Sequence, residues 1–254
     1  MKHNKHINYE ILNLLGYGLS KFNKNFILEF GLTSKSAFYQ YCVDLKIAST
    51  TGTIKNRMDL FDPFFPNNRK GWWQKGDAYI HRKQLIDSMF GKENVHEYAN
   101  IVKLYLQENF NVYTETLAVK PIIKSRFKQL QKTGLEAELY FMNNYNSINT
   151  FNGAEVEDAR LFGDGYDFQL SVNNDLYLAE VKGIREARGK FRLTEKEYTK
   201  ANEYKSQYII TLVLNLNDSP KFLVIDDPIK NLKFKKVVVN TKEVNEYHLK
   251  DYIC

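Results

Sequence analysis

Two carboxylates with twelve residues between them, and a lysine two positions past the second, form the most chemically pointed set in this 254-residue chain: Asp167, Glu180 and Lys182. They lie in DGYDFQLSVNNDLYLAEVKG, residues 164–183, where two alternating patterns flank Asn173-Asn174. Asparagine tolerates the positive φ of tight hairpin turns, so the spacing predicts a β-hairpin. Alternation puts Asp167, Gln169 and Ser171 on one face of the first strand, and Phe168, Leu170 and Val172 on the other. Glu180 and Lys182 share a face of the second strand, opposed by Ala179 and Val181. With a two-residue turn, Val172 faces Asp175 and Asp167 falls opposite Glu180, with Cβ atoms about 5 Å apart. Carboxylates that close repel each other, and a divalent cation relieves the repulsion; all-oxygen ligands suit Mg²⁺. Lys182, on the same face, could orient or help deprotonate a water, or neutralise charge on a phosphorane-like transition state. A slip of one residue in the turn would undo this arrangement.

Other chemistries find little support. The five histidines (His3, His6, His81, His96, His248) lack metal-ligand spacing. There is no GxxxxGK[ST] phosphate loop and no GxSxG elbow. Cys42 and Cys254 are far apart, without a CxxC partner, which favours a reducing compartment and neither a disulfide framework nor a zinc site.

The elements that must position the three residues follow from periodicity. Residues 7–30 carry apolar side chains at three- and four-residue spacing, Gly31 ends the run, and Thr33 or Ser34 could cap a second helix over 35–47. That is the outline of a helix-turn-helix, and equally of any packed helical hairpin. Residues 49–76 read as irregular: most of Phe61, Phe64, Phe65, Trp72 and Trp73 are expected to be buried and to anchor a basic loop carrying Lys55, Arg57, Arg69, Lys70 and Lys75, and some of those cations, Lys55, Arg57, Arg69 and Lys70 among them, are expected to contact DNA phosphates. Helix returns over 82–109. From residue 133 the pattern is helix, several strands, helix, strand, with later strands at 208–215, 222–226 and 237–239. The expected class is α+β, with an α/β-type core: a mixed sheet flanked by helices over 126–254, preceded by a mainly helical region over 1–125.

Asp167 followed by Glu180-Val181-Lys182 resembles the signature of the PD-(D/E)xK nuclease superfamily, with Tyr166 in place of the proline. The succession GDGYDF, LAEVKG, FRLTEKEYTKA and YIITLVLN resembles the nuclease-like domain at the C-terminus of plant NO VEIN proteins, also found in bacterial restriction systems. The resemblance covers about residues 130–228. It implies a metal site held by Asp167 and Glu180, completed by a glutamate on the first helix of the domain. That helix, TGLEAELYFMNNY, offers Glu136 and Glu138. Thr133 and Glu136 form a capping-box pattern, and Glu138 matches the family position better. Thr194 and Glu197 form a second capping box; the resemblance marks both as signature positions, and capping already explains them. Between the signature and that helix, Arg185, Arg188, Lys190 and Arg192 make a basic loop suited to flanking phosphates.

Composition agrees with a DNA-directed role. Of the 36 Lys and Arg and 30 Asp and Glu, residues 1–133 hold 20 and 11; the remainder of the chain runs slightly negative. A basic half joined to a carboxylate-bearing half suits a protein that grips DNA, although solvated basic surfaces are common too. No apolar run reaches the ~20 residues of a membrane span, and no secretory signal opens the chain, so a cytoplasmic location is expected. The resulting expectation is a Mg²⁺-dependent, sequence-specific endonuclease of double-stranded DNA, like a type II restriction enzyme. It would act as a homodimer, with a cognate DNA methyltransferase as genetic partner. A nuclease of repair, mobile elements or phage defence, and a non-catalytic DNA-binding module, are the other readings.

Overall fold

The computed structural model describes residues 8–112, 121–130 and 132–237, and within them the chain is α+β. Helix α1 (Tyr9–Phe22) is buried nearly throughout. Asn23, at φ 52°, separates it from the short α2 (Lys24–Leu28), so the helical run expected over 7–30 is two pieces. Gly31 (φ 71°) turns the chain, and Ser34 caps α3 (Lys35–Asp44) by accepting the Ala37 N–H at 3.1 Å. The helix–turn–helix outline is therefore present. Yet α3 buries Phe38 and Cys42 and shows Ser36, Gln40 and Asp44 to solvent, with no exposed cation among them.

The expectation of irregular chain over 49–76 fails at its start. Thr50 caps α4 (Thr51–Phe61), which buries Ile54, Met58 and Phe61 at spacings of four and three. Three poor helix formers at its head, Thr51, Gly52 and Thr53, mask that periodicity in the sequence. Among the loop aromatics, Phe61 is fully buried, Phe64, Phe65 and Trp72 are half-buried against the same core, and Trp73 stands in solvent. The helix expected over 82–109 is also two, α5 (Ile80–Phe90) and α6 (Val95–Phe110). They break at Gly91, and Asn94 with Glu97 closes a capping box at the start of the second. Helix α7 (Pro121–Leu130) runs across the division anticipated at residue 125, and its Phe127 joins the core of α1 to α6.

Helix α8 (Thr133–Asn144) opens the sheet-bearing part. Strands β1 (Glu155–Asp158), β2 (Phe168–Val172), β3 (Asp175–Gly183), β4 (Tyr208–Leu214) and β5 (Lys221–Asp226) lie side by side in chain order. All neighbours are antiparallel except β3 and β4, which are parallel. A parallel pair needs a crossover, here supplied by α9 (Glu195–Tyr204). The short α10 (Pro228–Asn231) follows β5. One sheet face packs on α8, where Ala137 and Phe141 meet Phe168, Leu170, Ala179, Val181, Ile209 and Val213. The Phe141 and Phe168 rings stack at 5.0 Å. The other face, through Leu178, Tyr208, Ile210 and Leu212, receives Ala201 of α9. Gly183 ends β3 so close to α8 that a Cβ there would sit 2.6 Å from the Thr133 carbonyl oxygen. Val237 is not in a strand, and the rest of the 237–239 segment lies outside the described residues, as do Cys254, His3, His6 and His248.

Candidate active site

The hairpin forms as its sequence implies. Val172 pairs with Asp175 and Phe168 with Ala179 across a two-residue turn, with Asn173 at φ 51°. One detail differs. Strand β2 begins at Phe168, so Asp167 is not the ladder partner of Glu180. Instead the Asp167 N–H donates to the Ala179 carbonyl at 3.0 Å, and its carboxylate Oδ2 accepts the Val181 N–H at 2.8 Å. Asp167 is thus tied to the backbone on both sides of Ala179 and Glu180, a firmer hold than a side-by-side strand pair. The chain reaches it through Gly165 (φ +92°), where a Cβ would lie 2.9 Å from the Lys196 carbonyl oxygen of α9, and whose own carbonyl accepts the Tyr208 hydroxyl at 2.9 Å.

Glu180 and Lys182 project from β3 toward the α9 side. Glu180 is 3% exposed. Lys182 Nζ donates to Glu180 Oε1 at 2.5 Å and to Glu197 Oε2 at 2.9 Å. The Thr194–Glu197 capping box is present, so Glu197 closes the start of α9 and binds the lysine with the same carboxylate. The family resemblance marks Glu197 as a signature position, and its spacing assigns it no role beyond capping. The β3–α9–β4 crossover brings it to the strand, and no local spacing reports that.

Burial raises the Asp167 pKa above the carboxylate range, opposed by the Val181 N–H and reinforced by Glu138. Burial raises Glu180 as well, and the charge of Asp167 adds to it. Lys182 is also buried, which works against its charge, but Glu180 and Glu197 outweigh that and hold the ammonium above the ordinary lysine value. Both acids therefore bind protons more tightly in the fold than in the unfolded chain. Their contribution to stability is present below the ordinary carboxylate value near pH 4 and is lost as pH rises through the raised native values. Glu180→Gln removes one buried charge and leaves Lys182 paired with Glu197. At pH 8 it is expected to stabilise the metal-free protein by ~1–2 kcal/mol, or about 2–8 °C in Tm. At pH 5 the gain should shrink toward zero. Thermal melts at the two pH values check this, and a lower Tm for the variant at pH 8 would refute it.

The other anticipated residues divide. Glu138 is held by Arg160 Nη1 at 2.9 Å, and Arg160 also grips Asp158 and lies over the Phe168 ring. Its charge reaches Asp167, but its carboxylate is turned to the arginine. Glu136 forms no capping box; Lys132 occupies the N-cap position without a side-chain bond. Fully buried, Glu136 accepts from the Tyr9 hydroxyl and from Arg185 Nη1 at 2.8 Å. Arg185 is therefore internal. It also lies 3.5 Å from Glu10 and over the Tyr9 ring. Arg69 is internal too, pairing with the buried Asp62 at 2.7 Å. Arg57 donates to Asn13 at 2.8 Å and stacks on Tyr9. Arg69 and Arg185 are each engaged by a carboxylate within the fold, while Arg57 has the neutral Asn13 amide and the Tyr9 ring. Arg188, Lys190, Arg192, Lys55 and Lys70 are exposed. So are Leu161 and Phe162, which stand on the turn leading into Asp167, a feature their hydrophobicity would not have predicted.

Carboxylate oxygens are the donor type a hard divalent cation takes. Asp167 and Glu180 supply such oxygens side by side: burial raises both carboxyls above their ordinary values, Asp167 Oδ1 remains beside the bonded Oδ2, and Glu180 Oε1 is engaged by Lys182. Among the described residues no group of three His, Cys, Asp or Glu gathers for a metal.

The five-stranded mixed sheet thus carries this aspartate, glutamate and lysine on and beside β3. Residues 137–225 match the family model described as Protein NO VEIN, C-terminal, about a third of the chain. No curated protein and no solved structure matches the chain. Among the described residues no helix is long and apolar enough to cross a membrane.

Proposed function

We propose that the chain is a Mg²⁺-dependent endonuclease hydrolysing phosphodiester bonds of double-stranded DNA. The observation that carries this is the Asp167–Glu180–Lys182 set on and beside one strand, with Glu180 buried and the other two partly buried, inside a stretch similar to a nuclease-like family. Asp167 and Glu180 would hold the ion, with Glu138 joining only if it left Arg160. A bound Mg²⁺ would supply Lewis-acid polarisation of a phosphoryl oxygen. Lys182, kept charged by Glu180 and Glu197, favours the second of its two anticipated roles: neutralising charge that develops on the phosphorus oxygens rather than removing a proton from water. The exposed Arg188, Lys190 and Arg192 leave the end of β3 and would contact flanking phosphates, with Lys55 and Lys70 as further contacts.

In finer detail, the reading is of a sequence-specific, restriction-type enzyme acting as a homodimer, with a cognate methyltransferase encoded beside it. The basic first half supports DNA as the partner. The test uses the full chain with Mg²⁺ on mixed genomic and phage DNA. Wild type should cut, EDTA should stop it, and Asp167→Ala should not cut. Discrete bands would support sequence specificity; a smear would favour a repair, mobile-element or other defence nuclease. DNA left intact by wild type would overturn the nuclease reading. One observation favours a non-catalytic DNA-binding module: Lys182 itself sits against Glu180, where an ion would otherwise neutralise it. DNA binding without cleavage would support that reading.

A further inference from the structure

Among the described residues, the buried Arg82 and the partly buried Arg57 have no carboxylate partner, and both line one cavity. It lies between α4, the turn before α5, α5 itself and the loop joining β4 to β5, and holds about 330 Å³. That is within the span of small-molecule sites, roughly 300–1,000 Å³. Arg82, 2% exposed, donates through Nη2 to the carbonyl oxygens of Leu216 at 2.9 Å and Asp218 at 2.8 Å, and its Nε is buried with no hydrogen-bond partner. Arg57 donates to the neutral Asn13 amide. Among the described residues neither guanidinium has a carboxylate within 4.0 Å. Glu136, the carboxylate whose charge acts on Arg57, is already engaged by Arg185. Burial and the Arg82 charge push the Arg57 guanidinium down to about 10.

Buried charge without a counter-charge is costly, and the cost falls when an anion arrives. Guanidinium forks match phosphate geometry in particular. Lys75 adds a third cation to the wall. Trp72, half-buried, lines the same space and offers a flat surface on which a heterocycle can stack, while the buried Tyr79 ring, 6.0 Å from it, lies under the Arg82 guanidinium and backs the wall. We propose that this cavity binds a nucleotide: a phosphate held by Arg57 and Arg82 and a base held against Trp72. The nucleotide comes either free or as one unit of a nucleic-acid strand.

The experiment titrates the full chain, in EDTA so that no strand is cut, with inorganic phosphate, the common ribo- and deoxyribonucleoside monophosphates, and a short single-stranded oligonucleotide, followed by calorimetry and thermal melts. At least one monophosphate should raise the Tm and bind about tenfold more tightly than inorganic phosphate, a ~1.4 kcal/mol difference. Asn56 lines the cavity and is exposed, so Asn56→Asp brings a carboxylate to the cations without disturbing the core. This variant should melt higher than wild type without ligand and bind the nucleotide about tenfold more weakly. Those opposite changes exclude loss of folding as the cause. Saturable binding of the oligonucleotide alone, weakened by Asn56→Asp, supports the site and assigns its source to a strand. Three results would overturn the proposal: no saturable binding of any nucleotide or oligonucleotide, phosphate binding as tightly as every monophosphate, or an affinity unchanged by Asn56→Asp.

Discussion

Lys182→Met is expected to lower Mg²⁺-dependent DNA cleavage at least ~10²-fold while the protein remains folded, the scale on which a single transition-state charge donor acts. The side chain is about the same length and removes only the ammonium. Glu180 and Glu197 then lose their shared cation, but Glu197 still accepts the Thr194 N–H at 3.0 Å, and a bound Mg²⁺ would give Glu180 its counter-charge. Lys182→Arg separates the two chemical roles. If the lysine acts as a fixed positive charge, arginine should recover activity well above methionine. If it must give up a proton, arginine should be as inactive as methionine, because guanidinium does not deprotonate in this range. Single-turnover cleavage of a labelled duplex, with melts alongside, measures both.

Glu136→Ala carries the largest expected cost in stability. The carboxylate is fully buried, and it receives Arg185 and the Tyr9 hydroxyl. His81 Nε2 lies 3.8 Å away, but burial, with the Arg82 charge beside it, pushes the imidazole well below its ordinary value, so His81 is neutral and contributes no ion pair. Removing Glu136 leaves Arg185 with the partly exposed Glu10 at 3.5 Å as its remaining acid. Breaking a buried pair by deleting one partner costs about 3–5 kcal/mol, and each kcal/mol is worth roughly 2–4 °C in a chain of this size. A Tm drop of that order is expected at neutral pH. Glu136→Gln, which keeps an acceptor for Tyr9, should fall between alanine and wild type. A change within 1–2 °C for alanine would show that the pair is not a structural element. The assay is a thermal or urea melt and needs no activity.

The hairpin was legible because its information is local. Period-two alternation and an Asn-Asn turn fix the register, and the observed pairing of Phe168 with Ala179 follows from them. Both capping boxes that formed, at Asn94–Glu97 and Thr194–Glu197, are likewise short-range. What the sequence hid depends on contacts between distant segments. Thr133 and Glu136 present the same pattern as Thr194 and Glu197, yet Glu136 faces inward, because Tyr9, 127 positions earlier, lies against it. Arg57, Arg69 and Arg185 look like loop cations, and each is claimed by a residue on another element. Helix α4 was missed for a different reason: the poor helix formers at its head outweigh three well-spaced apolar residues unless the core they enter is known. Glu197 shows that one carboxylate can cap a helix and complete a site at once, so a sufficient structural role does not exclude a second.

Arg185 stands three residues beyond Lys182 on the chain leaving β3, and its partners Glu10 and Tyr9 belong to the first helix. Arg82 reaches in the same direction, from α5 to the carbonyls that follow β4. The sheet and the helical body are thus clasped by interior charges, a poor seam for modular exchange. A sheet cut away at residue 125 would present Glu136 and Arg185 to water with half their partners gone. Recombination could move this sheet between proteins only by carrying α1 and α5 with it, or by rebuilding that seam from apolar residues.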